Sequence, residues 1–291
     1  MGRENLGRPE RIPEWMRRPI QTDREYTEVR NLLKKNGLHT VCEDAKCPNR
    51  HECWNHGTAT IMILGNVCTR DCRFCSVATG KPVGVDLDEP RRVAEAVEKM
   101  NLRHVVITSV TRDDLPDGGA QIFAETISAI KARVPGTTVE VLTPDFLGRK
   151  ECLYTVLDAG PVVFNHNIET VKRLQRAVRS AATYERSMQI LHYASEYGDG
   201  LMKVKSGIMV GLGETNEEVL ETMQDLFDNG VRLLTIGQYM APTREHVHTK
   251  RFVTPKEFVD FENEARRIGF SAVASGPLVR SSYRADNMLT A

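Results

Sequence analysis

From Thr58 onward, short β-branched runs alternate with amphipathic stretches. Thr60–Leu64, His104–Ser109, Thr138–Leu142, Val162–Asn165, Val204–Met209 and Leu233–Ile236 are predicted strands. Between them, Arg91–Met100, Ala120–Val134, Lys150–Leu157, Tyr184–Tyr197 and Glu217–Asn229 place apolar residues at helical spacing, with Gly230 positioned to cap the last. Six strand-helix units predict an α/β protein with a parallel sheet, and six make a partial (β/α)6 barrel rather than a closed eight; a doubly wound open sheet is the competing arrangement. Upstream, residues 22–37 open on Thr22 as an N-cap with Glu25 three positions on, carry Val29, Leu32 and Leu33, and stop at Gly37, which predicts a helix. Glu43–Gly57 has too little apolar periodicity for an element of its own, and Ser275–Ala291 has little periodicity either. The chain therefore divides into an N-terminal extension (1–57), a barrel (58–274) and a C-terminal segment (275–291).

Charge narrows the partners. Over 291 residues, 39 Lys and Arg balance 39 Asp and Glu, so no global field steers the chain toward nucleic acid or an anionic membrane. No apolar run reaches the roughly 18 residues a membrane span needs. The N-terminus mixes Arg3, Arg8, Arg11, Arg17 and Arg18 with Glu4, Glu10 and Glu14, unlike a secretory or transit signal, and Leu6 stands where a myristoylation signal after Met1-Gly2 wants Ser or Thr. These features predict a cytoplasmic protein without nucleic-acid or membrane partners.

The cysteines carry the chemistry. Six of seven lie between positions 42 and 75, as two triplets: Cys42-x4-Cys47-x5-Cys53 and Cys68-x3-Cys72-x2-Cys75. A disulfide framework belongs to short secreted chains, so metal binding is the stronger reading. Zinc ribbons present two close pairs, whereas each triplet here is one ligand short of four. For the second triplet that shortage points to a 4Fe-4S cubane with one iron open to a small molecule, with Phe74 shielding its edge. A structural zinc site completed by His51 or His56 is the alternative. Cys152, near Leu153 and Val156 on a predicted helix, reads as a small buried hydrophobe.

Cys68, Cys72 and Cys75 follow the first predicted strand, on the face where a parallel barrel works. The same face receives Thr111–Gly119, Asn165–Glu169 and Gly211–Glu214. Gly118 and Gly119 can bring bare backbone to a ligand's amino group, or simply turn the chain into the helix at Ala120. Asn165 and Glu169 can hydrogen-bond a ribose or an ammonium, or cap a helix. Gly211 can pack against an adenine, or turn the chain. His104, His166 and His192 read as core or surface residues rather than ligands.

The C-x3-C-x2-C triplet with an aromatic before its last Cys resembles the radical S-adenosylmethionine (SAM) superfamily. Together with Cys42-x4-Cys47-x5-Cys53, Gly57-Thr-Ala-Thr60, Thr108-Ser-Val-Thr-Arg-Asp-Asp114, Asn165-His-Asn-Ile-Glu-Thr170, Gly237-Gln-Tyr239 and Arg280-Ser-Ser-Tyr283, it resembles the lipoyl synthase family from about Thr40 to Ala285. That resemblance implies a radical SAM barrel whose terminal extensions carry an auxiliary cluster. It implies two 4Fe-4S clusters, one on Cys68, Cys72 and Cys75 that binds and cleaves SAM, and one on Cys42, Cys47 and Cys53. A serine of Arg-Ser-Ser-Tyr would be the auxiliary cluster's fourth ligand, Ser282 being taken over Ser281 on the resemblance and not on spacing. Phe74, Gly118, Gly119, Asn165, Glu169 and Gly211 are the expected SAM contacts. The Gly-Gly-Glu of many radical SAM enzymes reads Gly118-Gly-Ala120 here, leaving the carboxylate for the SAM ammonium open. The implied reaction turns an N6-octanoyl-lysine into N6-lipoyl-lysine with two SAM molecules and sulfur from the auxiliary cluster. Expected partners are the octanoylated lipoyl domains of 2-oxoacid dehydrogenase E2 subunits, the glycine cleavage H protein, and a low-potential electron donor such as ferredoxin or flavodoxin. Biotin synthase and the methylthiotransferases also join two clusters, but the upstream triplet and the terminal Arg-Ser-Ser-Tyr favour lipoyl synthase.

Overall fold

A computed structural model describes residues 12–17, 24–44, 47, 49–56, 58–198 and 200–289. Thr22, Gly57 and the charged positions 3–11 and 18 lie outside the described residues.

Helix α1 spans Arg24–Lys35 and buries Leu33. It ends where Gly37 takes φ +61° and Leu38 N donates back to Leu33 O, a glycine stop as the sequence predicts. The first Cys triplet then departs in part from expectation: after a short β1 (His39–Thr40), Cys42 sits on α2 (Val41–Asp44) and Cys53 on α3 (Arg50–Asn55), while Cys47 lies between them on no element. Tertiary contacts hold these pieces, among them an Arg30–Glu43 ion pair from α1, so periodicity had nothing to register.

The sheet follows. Strand β2 (Thr58–Ile63) is buried at every position, as a parallel strand covered on both faces should be. A small ladder, β3 (Val67–Cys68) with β4 (Ala78–Thr79), lies in the loop beyond it. Then come α4 (Glu89–Lys99), β5 (His104–Ser109), α5 (Ala120–Arg133), β6 (Thr138–Leu142), α6 (Lys150–Asp158), β7 (Val163–Asn165), α7 (Gln175–Val178), α8 (Tyr184–Ser195), β8 (Lys203–Val210), α9 (Asn216–Asp228), β9 (Leu233–Gln238), α10 (Pro255–Ile268) and β10 (Ala272–Gly276). Sheet order is β1-β2-β5-β6-β7-β8-β9-β10, parallel throughout except for antiparallel β1. Strictly sequential order lacks the reversal of a doubly wound sheet, which decides for the partial barrel.

The sequence reading missed α10 and β10. The helix is announced by a capping box, Thr254 with Glu257, and by Pro255 at its first position. Strand β10 is an edge strand of small residues with only Ala272 buried, and it crosses the division drawn at 274/275. Beyond it the chain runs from the C-terminal end of β9, where Arg280 meets Gln238 O, down to Met288, which packs on Val163, Leu233 and Ala272 at the strand starts. No helix among the described residues is long and apolar enough to cross a membrane.

Candidate active site

The second Cys triplet rides on a loop pinned from several sides. Cys68 closes the β3–β4 ladder, and its Sγ accepts from Arg70 N (3.4 Å) and Thr111 N (3.3 Å). Thr69 Oγ1 donates to Thr111 O, tying the loop to the segment after β5. Arg70 donates to Asp113 at 2.6 and 2.9 Å and to Asp145 at 2.6 Å. Burial raises the Asp145 carboxyl, yet the Arg70 hydrogen bond and charge overcome that and hold it at about 2. Arg73 N donates to Val178 O, and His246 Nε2 to Cys75 O at 2.9 Å. The loop that carries the three thiols is thus anchored to segments following β5, β6, β7 and β9.

Burial pushes the Cys72 thiol up to about 11, opposed by Arg179 and reinforced by Cys75, Cys68 and Glu169. Glu169 is half-buried at φ +67°, a backbone conformation uncommon for any residue but glycine, and desolvation raises its carboxyl while Arg179 lowers it. The structure therefore gathers Cys68, Cys72, Cys75, Glu169 and Arg179 into one electrostatic unit. Arg179 also donates to Ile168 O and Ser187 Oγ. Phe74 packs beside this unit with Val178, Leu212 and Tyr239.

The other expected contacts are placed less uniformly. Gly119 takes φ +89° at the start of α5, and a Cβ there would lie 2.3 Å from Leu64 Cδ1. Gly118, at φ +63°, faces Phe146 and Arg149. Gly211 is glycine because a Cβ would strike Gln238 Nε2 at 2.1 Å and Arg251 O at 2.6 Å; its N and that of Leu212 donate to the Glu214 carboxylate. Asn165 ends β7 and donates Nδ2 to Glu140 Oε1, which is also bonded by buried Lys205 at 2.9 Å. Its Oδ1 is buried without a partner among the described residues. His104 and His166 are core histidines hydrogen-bonded to Thr138 and to Thr143 O and Ser187, His192 lies at the surface, and Cys152 is buried on α6, all as expected.

The first triplet lines a small cavity. Cys42 on α2, Cys47, and Cys53 on α3 share it with Thr58, Ala59 and Thr60 of β2 and with Arg280, Ser282 and Tyr283. Ser281 does not line it. Burial, then Cys47, pushes the Cys42 thiol up to about 11; burial again, with Cys42 and Cys47, takes Cys53 to about 12 against a hydrogen bond from Arg284 N. The C-terminal segment is clasped onto α3: Tyr283 Oη donates to Glu52 at 2.9 Å, Arg284 pairs with the same carboxylate, and Asn49 Nδ2 donates to Leu278 O.

Both thiol sets suit an iron-sulfur group. In each set two thiols, Cys42 and Cys53 in the first and Cys72 and Cys75 in the second, are pushed up by desolvation and by neighbouring thiols, so they are costly to ionise alone and would be relieved by a strongly cationic core. Among the described residues no three His, Cys, Asp or Glu side chains close on a single-ion position. Sequence reasoning missed Arg70, Asp145 and Arg179, Arg70 and Asp145 meeting across 75 positions, while Asp113 and Glu214 were legible only as members of Thr111–Gly119 and Gly211–Glu214.

Comparison with known proteins agrees with this geometry. Residues 62–226 match the model of the radical SAM superfamily, and residues 2–47 match the N-terminal domain of lipoyl synthase of the radical SAM family. Lipoyl synthase of Rubrobacter xylanophilus is 56% identical over 283 residues, covering 97% of this chain and 88% of that protein. Lipoyl synthase of Bacillus subtilis is 52% identical over 280 residues, 96% of this chain and 94% of that one. Among solved structures, methylornithine synthase aligns with a TM-score of 0.55 at 14% identity over 89% of this chain and 86% of that chain. Streptococcus suis SuiB bound to S-adenosylmethionine gives a TM-score of 0.58 at 12% identity, over 88% of this chain and 56% of that chain. At such identities these two speak to the fold.

Proposed function

The chain belongs to the lipoyl synthase family of radical SAM enzymes and performs radical SAM sulfur insertion in lipoyl synthesis, and we propose that its two Cys triads divide that work between two 4Fe-4S clusters. The observation that supports the division is the pair of thiol sets in different surroundings. Cys68, Cys72 and Cys75 lie at the strand ends beside Glu169 and Arg179, while Cys42, Cys47 and Cys53 share a cavity with Ser282.

When bound, the clusters and SAM supply a low-potential electron, a carbon radical able to take hydrogen from an unactivated C–H bond, and sulfide, none of which a side chain can furnish. The chain's own residues do the rest. Arg70, held by Asp113 and Asp145, keeps the Cys68–Cys75 loop in shape, and Thr111 N and Arg70 N direct hydrogen bonds at Cys68 Sγ. Phe74, with Val178 and Leu212, keeps water from that edge. Asn165, its Nδ2 turned to Glu140, offers Oδ1 as an acceptor, and Glu169 offers a carboxylate, to the hydroxyl and ammonium groups of SAM. Gly118, Gly119 and Gly211 admit backbone at close range, Glu214 bracing the last. On the other side, Ser282 supplies an oxygen ligand to the auxiliary cluster, a bond between a hard donor and iron that suits a cluster giving up sulfur.

The substrate is a protein-bound N6-octanoyl-lysine on lipoyl domains of E2 subunits or on the H protein, with ferredoxin or flavodoxin as electron donor and the cytoplasm as the compartment. A tethered chain arrives at high effective concentration, which a neutral protein cannot arrange for a free fatty acid by long-range attraction. The test is anaerobic turnover with dithionite and SAM on an octanoyl-lysyl carrier domain, an octanoyl-lysine peptide and free octanoate. Sulfur insertion should fall in that order, and comparable turnover on free octanoate would defeat the substrate assignment.

A further inference from the structure

Arg280 lines the Cys42–Cys47–Cys53 cavity and has no carboxylate partner among the described residues. Its Nη1 donates to Val279 O at 2.8 Å and Gln238 O at 3.4 Å, and Nη2 reaches Met240 Sδ at 3.8 Å. All three acceptors are neutral. The half-buried guanidinium therefore sits on neutral acceptors in a cavity it shares with three thiols, whose negative charge on holding a cluster would answer it.

The neighbouring backbone is shaped to let the arginine in. Gly237, in β9, faces the Val279–Arg280 crossing, and a Cβ on it would lie 2.2 Å from Val279 O and 3.7 Å from Arg280 Nη1. A strand interior gives up packing and backbone entropy by using glycine, and here the return is the close approach of this one segment. Downstream, Tyr283 and Arg284 on Glu52 fix the same segment from its other side, so the guanidinium has little freedom to swing away.

We infer that Arg280 is a counter-charge of the first Cys triad, alongside Arg50 of the same cavity, and a positioning residue that holds the thiolates and the negatively charged cluster they carry. The inference rests on the reading of that triad as a cluster site. It adds that the cluster's potential is set in part by this cation: iron-sulfur potentials follow net charge and hydrogen bonds to sulfur, so losing a positive charge beside the cluster makes reduction harder.

The test uses the full chain with Cys68, Cys72 and Cys75 replaced by Ala, so that iron bound after anaerobic reconstitution with ferrous iron and sulfide reports on the first triad. Arg280→Lys keeps the charge; Arg280→Gln keeps donors for the two carbonyls but not the charge. The Gln variant should release iron to a chelator at least about tenfold faster than its parent, and its midpoint potential, followed by electron paramagnetic resonance, should move negative. The Lys variant should stay near the parent in both. Equal losses in the Lys and Gln variants would reduce Arg280 to a brace and overturn the inference, as would a Gln variant matching its parent. Should Arg280→Gln lack native circular dichroism, Gly237→Ala carries the same test, because it keeps the arginine and displaces it. If the parent takes up no iron with sulfide, the cluster reading itself fails, an outcome distinct from either result with Arg280.

Discussion

Replacing Arg70 by Met removes the hinge on which the Cys68–Cys75 loop hangs. The guanidinium makes three short hydrogen bonds, two to Asp113 and one to Asp145, with Arg70 only 4% exposed and Asp145 fully buried. Asp113, 26% exposed, can rehydrate, but Asp145 cannot. Its displacement from 3.8 to about 2 is itself worth roughly 2 kcal/mol of net stabilisation of the carboxylate. Removing one member of a buried pair costs about 3–5 kcal/mol. Asp145 keeps Arg186 at 3.2 Å and Leu147 N at 3.1 Å, so the loss should fall near the lower bound, about 3 kcal/mol. Equilibrium urea unfolding of the cluster-free chain under reducing conditions reads this directly. The double variant Arg70→Met with Asp145→Asn should recover part of the loss, since it removes the stranded charge. The pH dependence has a definite sign. Asp145 binds its proton more weakly folded than unfolded, so its contribution is complete above the ordinary carboxylate range and disappears as pH falls from about 4 through about 2. Arg70→Met should flatten the profile in that window. A loss below about 0.5 kcal/mol, the level of an ordinary surface substitution, with the double variant no better than the single, would refute the reasoning.

The two triads should separate under mutation. Cys72→Ala should abolish reductive cleavage of SAM, while Cys47→Ala should retain some cleavage and form no carbon-sulfur bond, both read by chromatography of 5'-deoxyadenosine and mass spectrometry of the substrate. Full loss of cleavage in both would count against the division. Ser282→Ala should permit SAM cleavage with severely impaired lipoyl formation, whereas Ser281→Ala, outside the cavity lining, should stay close to wild type; reversed effects would move the ligand assignment to Ser281.

What was legible in the sequence was local. Strands such as Thr58–Ile63 and His104–Ser109 showed because they are buried on nearly every position, and the thiol triplets showed because each is written within a dozen residues. Strand β10, Ala272–Gly276, stayed hidden because an edge strand of small, half-exposed residues carries almost no apolar signal. Helices α2 and α3, four and six residues long, are shorter than the window of about eleven residues over which helical periodicity shows. Helix α10 is different: Thr254, Pro255 and Glu257 announced it in the sequence itself. The site's supports were out of reach for another reason. Arg70 meets Asp145 across 75 positions, and Tyr283 meets Glu52 across 231, so the loop anchors and the clasp around Ser282 exist only once the barrel has formed.

The central claim is that this chain builds lipoyl groups with sulfur taken from a cluster on Cys42, Cys47 and Cys53. It is tested most directly by reconstituting the protein anaerobically with sulfur-34 sulfide, exchanging it into unlabelled buffer, and weighing the lipoyl-lysine formed in a single turnover on an octanoylated carrier domain. The account predicts a product in which both sulfurs are heavy, and none from protein with Cys42, Cys47 and Cys53 replaced by Ala. A lipoyl product of natural isotopic mass, or its formation by the triple variant, would contradict it.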